Sequence, residues 1–198
     1  MPRTAARGGP QTRARISQVA TQLFLERGFD GVTVAEVARE AGVSSVTVFK
    51  HFPRKEDLLL DRADDALEVL RTAVRGNGDV LTELHEATLR LVDERHSLSG
   101  LKDGSVPFFA TVAASPALIA RAREIADELQ QALAEELAAG MDPGDAALLA
   151  AFFVAGYTTV LTRTAARQLA GDTAAEVADD HRGRVDHLFA KLADGFEN

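Results

Sequence analysis

Between Thr33 and Pro53 the chain turns a corner. Thr33-x-x-Glu36 is a capping box, in which the two side chains satisfy backbone N–H groups at a helix start. Val34, Val37, Ala38 and Ala41 give the helix that follows an apolar face. Gly42 stops it, because glycine takes the positive φ that a sharp helix–helix turn demands. Ser44 or Ser45 caps a second short helix. That helix ends near Phe52-Pro53, since proline pushes the residue before it out of helical conformation. Val48 and Phe52, four apart, pack it against the helices behind. Ser45, Thr47, Lys50 and His51 remain to offer hydroxyl and basic groups to bases and phosphates in a major groove. The pattern is a helix-turn-helix.

The rest of the chain also reads as helix. No stretch of alternating β-branched residues makes a strand. Residues 1–11, with two glycines and two prolines, are expected to form a disordered basic arm. A first helix is expected over Thr12–Arg27, with Ile16, Val19, Ala20, Leu23 and Phe24 on one stripe. Leu58, Leu59, Ala63, Ala66, Leu67 and Leu70 predict a long fourth helix that breaks at Gly76-Asn77-Gly78. A fifth follows over Val80–His96, then a loop over Ser97–Pro107. Further helices are expected over Phe108–Ala114, Pro116–Ala139, Pro143–Gln168 and Thr173–Asp194.

Charge separates the two ends. Ten of the 22 Lys and Arg residues, but only seven of the 30 acids, lie within residues 1–62. That end carries +3, and the remainder −11 of the total −8. A basic head on an acidic body fits an anionic partner held at one end. The chain has no cysteine, which excludes disulfides, thiolate metal sites and thiol nucleophiles. No Gly-x-Ser-x-Gly, Walker A or His-Glu-x-x-His motif is present, so an enzyme is not expected, nor a cofactor or metal. The longest uncharged run, Ala146–Thr162, has 17 residues and is rich in alanine. It reads as a buried helix rather than a membrane span, which takes roughly 20 strongly apolar residues. The cytoplasm is the expected compartment.

The run Gly28-Phe29-Asp30-Gly31-Val32-Thr33-Val34, with Ala41-Gly42-Val43-Ser44-Ser45-Val46-Thr47-Val48-Phe49-Lys50-His51-Phe52-Pro53-Arg54-Lys55-Glu56-Asp57-Leu58, resembles the DNA-binding domain of the tetracycline-repressor (TetR) family. The resemblance covers Ala14 to Leu60, about a quarter of the chain. It implies an all-α protein with a three-helix helix-turn-helix head over residues 12–62. A helical ligand-binding and dimerisation body over 63–198 would follow. It further implies a homodimer through the last two helices, a double-stranded operator and a small-molecule effector. By the same resemblance Ser44, Ser45, Val46, Thr47, Phe49 and His51 face DNA, Thr33 lies beside a phosphate, and Lys55 meets a phosphate at the start of the fourth helix. The family usually has tyrosine where Phe49 stands and a small residue where Val46 stands. Valine there contacts a thymine methyl or crowds the groove. Arg3, Arg7, Arg13 and Arg15 form a phosphate or minor-groove arm, or else a plain tail.

In the body, Phe108, Phe109, Phe152, Phe153 and Tyr157 are the candidate ligand contacts. Helical neighbours point about 100° apart, so one of each phenylalanine pair faces the core and the other a cavity or interface. Tyr157 needs a partner for its hydroxyl. The expected function is a ligand-responsive transcriptional regulator, with repressor as its sign. The competing reading is a helical protein–protein adaptor that does not bind DNA.

Overall fold

The structure is a computed structural model and describes residues 8–76 and 78–196. The helices are α1 (Gly8–Arg27), α2 (Val34–Glu40), α3 (Ser45–His51), α4 (Ala63–Val74), α5 (Val80–Asp93), α6 (Ser105–Ala114), α7 (Pro116–Leu137), α8 (Pro143–Leu169) and α9 (Ala174–Phe196). No strand occurs among the described residues. The chain divides into a head of residues 1–61 with 110–122 and a body of 62–109 with 123–198.

Several boundaries differ from those read in the sequence, four of them with a structural consequence. α1 begins at Gly8, so residues 8–11 are helical, while residues 1–7 of the expected arm, Arg3 and Arg7 included, lie outside the described residues. The expected fourth helix is split into a 3₁₀ turn at Glu56–Leu58 and α4. The irregular link lets the adjacent Leu58 and Leu59 both bury, which one α-helix face does not readily allow. α5 stops at Asp93, and Arg95 turns out of it with φ +46°. α6 starts two residues before Pro107, because N–H groups of a first turn have no helical acceptor to lose.

The head core is built by the stripes predicted for it. Ile16, Ala20 and Phe24 of α1, Val37 and Ala38 of α2, and Val48 of α3 are buried, with Phe29, Val32, Phe52 and Leu58 closing the cluster. Each fully buried large apolar side chain contributes about 1.5–3 kcal/mol. Within the same unit Arg121 Nε donates to Asp57 Oδ1 at 2.7 Å, both side chains less than a fifth exposed.

In the body, α4 packs on α5, and α9 packs on both α5 and α8. Leu84, Leu133, Leu149, Phe153, Val185 and Phe189 lie in the core between them. α8 passes a length and composition test for crossing a membrane. Its one face (Ala146, Leu149, Ala150, Phe153, Val160) is core, while Leu148, Phe152 and Leu169 are exposed at 51%, 55% and 42%. Polar pins cross the interior. Gln168 Nε2 donates to the Gly100 carbonyl at 2.8 Å. Thr164 Oγ1 lies 2.7 Å from His181 Nδ1.

Candidate nucleic-acid interface

The corner forms as its local signals dictate. Thr33 Oγ1 accepts from the Glu36 N–H at 3.2 Å, and Glu36 Oε2 accepts from the Thr33 N–H at 2.8 Å. Arg27 Nη2 donates to Glu36 Oε1 at 2.8 Å. That hydrogen bond, followed by the one from Thr33, holds the Glu36 carboxyl down at about 2. The Thr33 hydroxyl also donates to Glu36 Oε2 at 2.8 Å, so it is engaged within the cap. At the turn Gly42 has φ +65°, and a Cβ there would meet nothing within 4 Å. Its requirement is conformational rather than steric.

Of the two candidate serines, Ser44 is the cap of α3. Its Oγ accepts from the Thr47 N–H at 3.1 Å and lies 2.9 Å from Thr47 Oγ1. The two hydroxyls are therefore paired with each other at the head of the helix. Val48 and Phe52 are 0% and 1% exposed and anchor the inner face. Val46 and Phe49 are 79% and 50% exposed, so neither is a core residue. Lys50 is exposed on the same helix, as is Arg39 on α2, and neither pairs with an acid among the described residues. Ser45 and His51 are half-buried.

Two basic residues are tied into the packing of the head. Lys55 Nζ donates to the Phe29 carbonyl at 2.6 Å and sits 4.1 Å from the centre of the Phe29 ring. Its burial lowers the ammonium pKa. Arg13 Nη1 donates to the His51 carbonyl at 2.6 Å, with its guanidinium 4.2 Å from the centre of the Phe52 ring. α1 thus fastens the C-terminal end of α3. The sequence left Arg13 open between a DNA-contacting arm and a plain tail. The signal for its role was its position three residues before Ile16, on the core stripe of α1.

The body aromatics have different surroundings. Phe153 is buried, stacks on Tyr157 with centroids 6.1 Å apart, and meets Phe189 at 5.7 Å. The Tyr157 hydroxyl finds its partner in the Leu98 carbonyl at 3.2 Å, and burial raises the phenol pKa. Phe152 is on the exposed face of α8, and Phe108 and Phe109 meet edge-on at 5.8 Å. A groove of about 430 Å³ lies instead between α4 and α5. Val69, Ala73, Ala87 and Leu91 supply its apolar lining, and Asp65, Glu68, Glu83 and Glu94 its carboxylates.

A head of this geometry is a helix-turn-helix DNA-binding head. Residues 16–61 match the family described as bacterial regulatory proteins, tetR family. An uncharacterised HTH-type transcriptional regulator of Haemophilus influenzae is 35% identical over 63 residues, 32% of this chain and 31% of that protein. An HTH-type transcriptional regulator of Staphylococcus aureus is 35% identical over 48 residues, 24% of this chain and 26% of that protein. The chain thus spans under a third of the length of these relatives. In fold it is similar to GusR of Salmonella enterica (TM-score 0.59, 22% identity, 95% of this chain and 96% of that one). It is also similar to a TetR-family regulator of Streptomyces coelicolor (TM-score 0.58, 22% identity, 91% and 96% covered). A third likeness is to native NalD, the secondary repressor of the MexAB-OprM multidrug efflux pump in Pseudomonas aeruginosa (TM-score 0.53, 19% identity, 94% and 97% covered). Residues 16–61 thus match the DNA-binding segment of the tetR family, and the relatives that share this segment are HTH-type transcriptional regulators.

Proposed function

We propose that the chain is a cytoplasmic repressor that binds a pseudo-palindromic operator as a homodimer and is released by a small apolar or amphipathic effector. The observation that carries this reading is the exposed face of α3, with Val46, Phe49 and Lys50 turned outward from a helix whose inner face is fully packed. Ser45, His51 and Lys50 are its polar contacts, while Thr33, Ser44 and Thr47 shape the two helix starts beside the phosphates. Lys55 acts on this reading as a positioning residue. The exposed Leu148, Phe152 and Leu169 on α8 supply the apolar surface for pairing through α8 and α9. The likeness in fold to NalD supports the sign of regulation.

A dimer would set two α3 helices about one DNA turn, roughly 34–36 Å or a multiple of it, apart. An effector in the body, for which the groove between α4 and α5 is a seat, releases DNA only if it binds the non-DNA state more tightly. By linkage the operator must weaken effector binding by the same factor. The test is fluorescence anisotropy of the full chain on labelled fragments from upstream of its own gene and across its genome, at two salt concentrations. Saturable binding that weakens with salt and survives competitor DNA is expected. No specific binding to any fragment would overturn the reading in favour of a helical adaptor.

A further inference from the structure

We propose that α3 reads thymine through an apolar ridge of Val46 and Phe49, so that each operator half-site carries a thymine 5-methyl group against this ridge. The inference rests on the DNA-binding reading above and names what that same site recognises. Positions 46 and 49 are three apart on α3 and share a face. Val46 is 79% exposed and Phe49 50%. Folding does not use them, because Val48 and Phe52 fill the inner face of the helix.

Two hydroxyls at the start of α3 are engaged with each other. Ser44 and Thr47 oxygens lie 2.9 Å apart, and Ser44 also caps the Thr47 N–H. Lys50, four residues after Val46 on α3, is exposed and pairs with no acid among the described residues, a charge that complements the phosphates beside a groove. In the major groove the thymine C5-methyl is the apolar group a base pair presents, and cytosine lacks it. An exposed aliphatic and aromatic pair beside a phosphate-seeking cation therefore matches thymine edges. The occupant is DNA, and the discriminating atom is the methyl carbon.

The experiment starts with the full chain and a random duplex library, from which bound sequences define the half-site. Each thymine of that site is then replaced singly by deoxyuridine, which keeps the base pair and removes only the methyl. Anisotropy gives the affinity of the native chain, Val46→Ala and Phe49→Ala. The expected result is a loss of about fourfold for each methyl under the ridge, the scale of burying one methyl-sized group. Val46→Ala or Phe49→Ala should bind the thymine site more weakly and no longer distinguish thymine from uracil at the position it covers. Both variants change exposed side chains, and their thermal unfolding should match that of the native chain. Specific binding with no uracil effect at any position would overturn the inference and leave the DNA-binding reading intact. So would a uracil effect that persists undiminished in both variants. A library that yields no enriched sequence would overturn both.

Discussion

Lys50 and Lys55 are five residues apart and play different parts. Lys50 points to solvent, whereas Lys55 is bound to the Phe29 carbonyl over the Phe29 ring. Lys50→Ala should lower affinity for every DNA sequence alike and reduce the slope of log affinity against log salt by about 0.9 for each phosphate that the lysine neutralises. Its melting temperature should not move. Lys55→Ala should instead destabilise the head by about 1 kcal/mol, the scale of a partly exposed charged hydrogen bond, and calorimetry reads that loss directly. If Lys55→Ala changed only the salt slope, its role would be at the phosphate after all. The family resemblance gave Lys55 that role, because a lysine at a helix start is a common phosphate ligand. The fold gave its ammonium a carbonyl acceptor 26 residues away.

At the scale of elements, the recognition helix has seven residues and is too short to be stable alone. Its persistence depends on Ser44 at one end, Arg13 at the other and the glycine corner before it. Ser44→Ala should cost about 1 kcal/mol of stability through the lost cap, and should weaken operator binding as well, because α3 would fray before it docks. Gly42→Ala should cost about 1–2 kcal/mol from the positive φ alone, since a Cβ there meets no atom. Thermal unfolding of the two variants measures both. Between α8 and α9 the pin is His181, fully buried, with Nδ1 on Thr164 Oγ1 and the Tyr157 ring edge-on at 6.5 Å. Burial, reinforced by the Arg184 guanidinium and opposed by Asp180, pushes the His181 pKa down to about 4. Below pH 6.5 the unfolded chain takes up a proton that the folded His181 refuses until about pH 4. The stability His181 contributes is therefore complete above pH 6.5 and is lost as pH falls through that window. Melting temperature followed from pH 7 to pH 4.5 should decline, and His181→Asn should flatten that decline whatever its own starting stability.

The whole molecule is acidic, yet its DNA-facing end is not. With −11 on residues 63–198 and +3 on residues 1–62, an approaching phosphate backbone is attracted by the head alone. On the proposed reading the exposed apolar residues of α8 set the assembly. Sedimentation equilibrium should return twice the 21.1 kDa of one chain. Phe152→Asp places a carboxylate on that face and should shift the equilibrium to monomer, with operator affinity falling in parallel because two half-sites are no longer read together. A Phe152→Asp variant that stays dimeric and binds normally would move the interface elsewhere.

The helices and the corner were legible from the order of residues alone. A capping box, a glycine and a capping serine act within four residues, and apolar spacing assigns Val48 and Phe52 inward without knowledge of their neighbours. That was enough to recognise the head. The remainder depends on groups far apart along the chain. It took the packed fold to show that Arg13 closes α3 from 38 residues away and that Ser44 rather than Ser45 is the cap. The aromatic pairs of the body were ambiguous for the same reason. Periodicity tells which residues share a face, but not what covers it, and for Phe153, Tyr157 and His181 the covering groups come from α5, α8, α9 and the turn at Leu98.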